Sequence, residues 1–208
     1  MSGYSGKYSS QKTSGKRATG QVKSVPRRKT KQMERIITVD LDGTVADISQ
    51  RRAFALRHTE ERSPQFYEIL LDPAHFHLDV PVESSRAFLL SYVAATQGEV
   101  VYLSGRRVGT ESHSREWLIS HGFPDGRIIH RRTGRKSADF KLECLEKLSE
   151  EFRIDGHFGD RDIDDGQVAE KAGVRYFLIK EYRWPNFSEV QGLFIKNTSA
   201  ATDYGDIS

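Results

Sequence analysis

The run Asp40-Leu41-Asp42-Gly43-Thr44 follows an apolar stretch, Ile36 to Val39, and sets two carboxylates two residues apart. Side chains two apart in an extended segment point the same way. Asp40 and Asp42 therefore face one pocket, and Gly43 permits a sharp turn straight after them. Two such acids repel and cost stability unless a cation offsets them. Hard oxygen ligands of this kind suit Mg2+. With a cation and a phosphate present, the two carboxylates can divide the work. One bound to the metal stays ionised and can act as a nucleophile; the other can hold a proton and serve as acid, then base. A decorated surface turn is the plain alternative.

Three further polar groups follow apolar runs downstream. "VVYLSGR" supplies Ser104, "ADFKLECL" supplies Lys141, and "FGDRDIDD" supplies Asp160 with Asp164 or Asp165. Taken in order, "DLDGTVAD" and these three resemble the four motifs of the haloacid dehalogenase superfamily over about residues 36–180. The resemblance implies an aspartyl-phosphate formed on Asp40, and Asp42 as the acid and base. It implies Mg2+ held by Asp40, Asp42 (through its backbone carbonyl) and Asp160, with Asp164 or Asp165 orienting the metal's water. Ser104 and Thr44 would bond phosphoryl oxygens, Gly43, Gly105 and Arg106 would complete the phosphate site, and Lys141 would offset negative charge. Alone, Ser104 reads more readily as a turn cap, a reading only the motif order overturns, and Lys141 reads as one solvated helix charge among several.

A narrower likeness runs through "LSGRRVGTESHSREWLISHGFPDGRIIHRRTGRKSADFK". It resembles the phosphatase half of polynucleotide kinase/3′-phosphatases at Arg106, Gly109, Thr110, Trp117, Arg132, Gly134, Arg135, Asp139 and Lys141. By that likeness Arg107, Arg132, Arg135 and Arg161 become substrate-binding candidates. One departure stands out: those enzymes carry two adjacent acids where this chain has Gly159-Asp160. No G-x-x-x-x-G-K-[ST] loop is present, so any kinase activity would come from another chain; a separate kinase or ligase is a candidate partner.

The elements that must position these residues alternate. "RIITVD", "EVVYLSG", "GRIIH", "GHFGD" and "VRYFLIK" read as strands. Helical spacing runs through "SSRAFLLSYVAATQG", closed by Gly98, and through "TESHSREWLISHG". It is clearest in "SADFKLECLEKLSEEF", with Ser137 as N-cap, and recurs in "DIDDGQVAEKAG". This is the α/β pattern of a Rossmann-like parallel sheet with helices on both faces. Ligands of such sheets bind at the carboxyl ends of the strands, where strand order reverses, and there the polar residues fall. Residues 48–83, irregular and rich in His, Arg and Pro, read as a small cap or flap over the site. His75 and His77 lack partners that would make them metal ligands.

Charge is uneven. Nine of the 32 Lys/Arg and none of the 29 Asp/Glu lie in residues 1–33. That stretch reads as a disordered basic arm, either a tether to polyanions such as nucleic acid or a solubilising tail. The folded domain is expected over 34–190 and a loose tail over 191–208. One cysteine, Cys144, excludes an internal disulfide, and no apolar run is long enough for a membrane span, so a cytoplasmic location is expected. Three functions stand against one another: a phosphomonoesterase acting on nucleic-acid 3′ ends, a phosphatase of nucleotides or other small esters, and a non-catalytic nucleic-acid-binding module. The intact acids argue against the third.

Overall fold

The computed structural model describes residues 33–195, together with Met1 and Gly3. The basic arm and the tail beyond 195 lie outside the described residues. Within the body, five strands form one parallel sheet: β1 (Arg35–Val39), β4 (Glu99–Arg107), β5 (Arg127–Arg131), β6 (Arg153–Gly159) and β7 (Tyr176–Leu178). Their spatial order is β5-β4-β1-β6-β7. The chain thus builds outward from β1 on one side and then crosses to the other, so order reverses at β1.

Alternation along the strands explains why both faces are covered. Ile37 and Val39 of β1, with Val100 and Tyr102 of β4, pack into one cluster; Ile36, Val101 and Leu103 pack into the other. The first cluster is closed by Phe88, Leu89 and Tyr92 of α3 (Glu83–Thr96), Trp117 and Leu118 of α4 (Glu111–Ser120), and Phe194 of α7 (Phe187–Ile195). The second is closed by Leu145 and Leu148 of α5 (Ser137–Glu151) and by Val168 and Ala169 of α6 (Gln167–Lys171). Each buried Leu or Phe stabilises this arrangement by about 1.5–3 kcal/mol.

Some boundaries differ from the sequence reading. Helix α7 carries the folded body to Ile195, with Phe194 fully buried, so the tail does not begin at 191. The left-handed C-cap of α3 is Gln97 rather than Gly98, and Ser137 is the first residue of α5 rather than its cap. The 48–83 segment is ordered. It holds α1 (Ser49–His58), α2 (Pro64–Leu70) and a 3-10 turn over Pro73–Leu78. Strands β2 (Ala46–Asp47) and β3 (Val80–Pro81) pair antiparallel and tie the two ends of this cap together. No apolar stripe marks α1, because Arg51, a residue type normally solvated, is one of its two buried side chains.

Candidate active site

The site forms where β1 and β6 end. Asp40 follows β1 directly, and its backbone N–H donates to Phe158 O at 2.9 Å, locking the two strand ends together. Asp160 follows β6. Gly43 turns the chain with φ +86°, and a Cβ there would lie 2.4 Å from Asp160 Oδ2. Glycine is thus required both for the turn and for the close approach of the second acid.

Lys141 reaches the same point from α5. It lies one turn beyond Ser137, on the same helix face, and both line the cavity. Its Nζ, fully buried, is 3.0 Å from Asp40 Oδ2 and also donates to Asp165 Oδ1. Carboxylate oxygens of Asp40, Asp160 and Asp165 lie within 4.8 Å of one another. That choice separates Asp165 from Asp164, which instead pairs with Arg161 at 2.7 Å on the cavity wall.

Asp165 also accounts for the glycine at 159. A Cβ on Gly159 would lie 2.3 Å from Asp165 Cγ, so the Asp165 carboxylate packs against the bare backbone where an acid side chain at 159 would start. His157 holds it from behind: Nε2 is 3.2 Å from Asp165 Oδ1, and Nδ1 is 2.9 Å from Thr38 Oγ1. Burial lowers the His157 pKa, so the neutral ring accepts from Thr38 and donates to Asp165. Sequence reasoning missed His157, whose only signal is its place inside a strand.

Asp42 has a different environment. Arg51 donates to its Oδ1 at 2.7 Å, and Arg106 donates twice, at 2.9 and 2.6 Å. Oδ2 takes none of these bonds. Both arginines also bind the buried Asp79, at 2.8 and 2.7 Å, and both lie over the Phe76 ring. Two cations and two anions thus join the cap to the ends of β1 and β4. The Arg106 guanidinium, completed by Ser114 at 3.0 Å, is committed to this cluster. It does not line the cavity, which corrects its reading as a phosphate ligand.

The charges separate the acids. Burial pushes Asp40 up to about 8, with Asp165, Asp160 and Asp42 adding to the rise and Lys141 opposing it. Burial and Asp165 raise Asp160 to about 6. Burial would raise Asp42 too, but Arg106 and Arg51 overcome it and hold the carboxyl well below the usual range. Three acids crowded around one lysine cannot all ionise without a further cation. Among the described residues only three buried side-chain polar atoms lack a partner, and two are here: Asp160 Oδ1 and Thr44 Oγ1. An unpaired buried carboxylate oxygen on Asp160, in contact with the acids of the cluster, fits a hard cation.

Ser104 is buried, and its Oγ accepts from Arg106 N–H at 3.2 Å, the turn-capping contact. Of the predicted substrate arginines, Arg161 lines the cavity. Arg107 lies in a neighbouring groove, and Arg132 and Arg135 line a separate one. Arg52, Arg62 and Arg131 line the cavity instead.

No family's model matches this chain, and no curated protein does. Solved structures do. A chain in the Pnkp1/Rnl/Hen1 RNA repair complex superposes with a TM-score of 0.55 at 17% identity, over 81% of this chain and 49% of that one. The class C acid phosphatase from Bacillus anthracis with tungstate bound gives 0.54 at 17%, over 81% of each. The HAD domain of the effector protein Lem4 from Legionella pneumophila gives 0.50 at 15%, over 82% and 98%. This chain shares the α/β fold of these phosphatase and HAD-domain structures. This chain spans about half the length of the Pnkp1-complex chain it matches. Among the described residues no helix is long and apolar enough to cross a membrane.

Proposed function

We propose that this chain is a Mg2+-dependent phosphomonoesterase working through an aspartyl-phosphate on Asp40, with 3′-phosphorylated nucleic-acid ends as substrate. The observation that carries the reading is the meeting of Asp40, Lys141, Asp160 and Asp165, with Asp160 Oδ1 left unpaired among them.

The steps follow from the charges. Asp40 Oδ attacks phosphorus, and the bond from phosphorus to the leaving oxygen breaks. Asp42 is the group placed to give that oxygen its proton. Water then attacks the aspartyl-phosphate, Asp42 takes the proton released, and inorganic phosphate leaves with Asp40 restored. Arg51 and Arg106 favour ionised Asp42, the form the second half uses; the first half runs against that bias. Lys141 stays charged because Asp40 and Asp165 outweigh its burial. It lies against the carboxylate that gains the phosphoryl group, where fixed positive charge stabilises the transition state. Magnesium held by Asp40, the Asp42 carbonyl and Asp160, with Asp165 behind, would supply the charge that keeps Asp40 ionised.

Arginines at the cavity and the likeness to a chain of an RNA repair complex support a nucleic-acid substrate. The same likeness motivates a separate kinase or ligase partner. The class C acid phosphatase likeness favours the second reading, a phosphatase of nucleotides or small esters. Phosphate release from a 3′-phosphorylated oligonucleotide, a 5′-phosphorylated one, a free 3′-nucleotide and an aryl phosphate separates the two. Faster turnover of the 3′-phosphorylated polymer is expected. Equal or better turnover of the small esters would overturn the polymer assignment.

A further inference from the structure

The cavity measures about 810 Å³, far more than a phosphate group fills. Part of its lining is polar: Asp40, Gly43, Gly105, Lys141 and Asp160. Another part is apolar and belongs to the cap, where Leu56 and Tyr67 are 43% and 45% exposed. Large apolar side chains left open inside a cavity are ligand surface. Tyr182, from the loop after β7, lines the same cavity.

That loop is strained. Glu181 and Tyr182 are consecutive non-glycine residues in the left-handed region, with φ 50° and 59°. Such backbone persists only where the surroundings over-determine it, and it clusters at functional sites. Here three bonds pin it. Tyr182 O–H donates to Asp47 Oδ1 at 2.8 Å, Ser84 Oγ donates to Tyr182 O at 3.2 Å, and Trp184 Nε1 donates to Thr44 O at 3.0 Å. These bonds fix the Tyr182 phenol on Asp47, at the end of β2, and Trp184 on the Thr44 carbonyl. Burial and Asp47 push the phenol's pKa well up, so it remains a hydrogen-bond donor and carries no proton to substrate. What it offers the cavity is its ring.

We propose that Tyr182, with the Leu56 and Tyr67 wall of the cap, is a stacking site for the base of the nucleotide that bears the scissile phosphate. The inference rests on the phosphatase reading and adds to it a class of leaving group: a nucleoside, rather than a sugar or alkyl alcohol. Base stacking on an aromatic ring corresponds to a preference of about ten-fold or more.

The test compares an oligonucleotide ending in a 3′-phosphorylated adenosine with one ending in a 3′-phosphorylated abasic residue. The wild-type chain should prefer the first by about ten-fold in kcat/KM. Tyr182→Leu should cut that preference about five-fold or more, mostly through KM. Tyr182→Trp, which restores a ring, should keep it, and Tyr67→Ala should weaken it. Equal treatment of both ends by the wild type, or equal falls on both for Tyr182→Leu, would overturn the proposal. Calorimetric titration of the protein with adenosine 3′-monophosphate and with ribose 3-phosphate asks the same question without turnover. Tighter binding of the nucleotide, lost in Tyr182→Leu, is expected, and equal binding would overturn the stacking site. Should no phosphate ester be hydrolysed, the activity reading falls while this titration still decides Tyr182.

Discussion

Removing Asp79 tests whether the cap and the Asp42 carboxylate are held by one buried charge cluster. In the native chain Arg51 and Arg106 face Asp42 and Asp79, two charges against two, and the Asp79 side chain is fully buried. Asp79→Asn leaves two guanidiniums to share Asp42 alone. Each lost contact at 2.7–2.8 Å is an attraction of about 6 kcal/mol at an effective dielectric near ~20. Relief of Asp79's own burial, which outweighs the pull of both arginines and lifts its carboxyl to about 6, offsets that attraction, so the loss comes from two buried guanidiniums left short of an anion. The net loss should be about 3–5 kcal/mol, typical of a broken buried pair. Urea unfolding followed by tryptophan fluorescence measures it. A second effect separates positioning from bulk stability. With both guanidiniums turned on Asp42 alone, its carboxyl is held still more firmly ionised. Turnover of alkyl phosphates, which need a proton on the leaving oxygen, should then fall about ten-fold more than turnover of a nitrophenyl ester. A stability change under about 1 kcal/mol, with both substrates affected alike, would refute the reasoning.

Two other outcomes are expected. In metal-free protein, Asp40 is the carboxyl still losing its proton between about pH 6.5 and about pH 8.5, since it is pushed up to about 8 while an unfolded Asp has lost its proton near pH ~4. The folded form binds more protons than the unfolded chain there, so stability falls as pH rises through that window. Tm with a chelator should drop across it, and Mg2+ should raise Tm more at the upper end; a flat or rising chelated Tm would contradict the charge assignment. Gly159→Ala should cost about 1–3 kcal/mol and most of the activity, because Asp165 is held by Lys141 and His157 and cannot withdraw. Wild-type urea stability in that variant would show Asp165 to be mobile.

The clustered acids Asp40 and Asp160 were legible because they sit at strand ends, where apolar runs stop and the next residue is forced to the sheet edge. Asp40, Asp160 and the alternating pattern around them needed no tertiary information. Lys141 was ambiguous, since α5 also carries Glu143, Glu146 and Lys147, and only its position one turn from Ser137 turns it inward. Arg51 and Asp79 were illegible for a physical reason: burying a charge depends on a partner distant in sequence, and these two are 28 residues apart. The same holds for Arg106, whose motif suggested phosphate while its guanidinium is held by Asp42 and Asp79. Tyr182 gave no signal either, as a left-handed φ on a tyrosine is not written in composition or periodicity. Sequence left Asp164 and Asp165 equivalent; packing against the bare backbone of Gly159 brings Asp165 to Asp40 and Asp160.

Covalent capture bears most directly on the central claim. Rapid acid quench during turnover of a labelled phosphate ester, followed by peptide mapping, should place a hydroxylamine-labile phosphoryl group on Asp40, and Asp40→Asn should be folded, unlabelled and inactive. Label on any other residue, or sustained turnover by Asp40→Asn, would contradict the account.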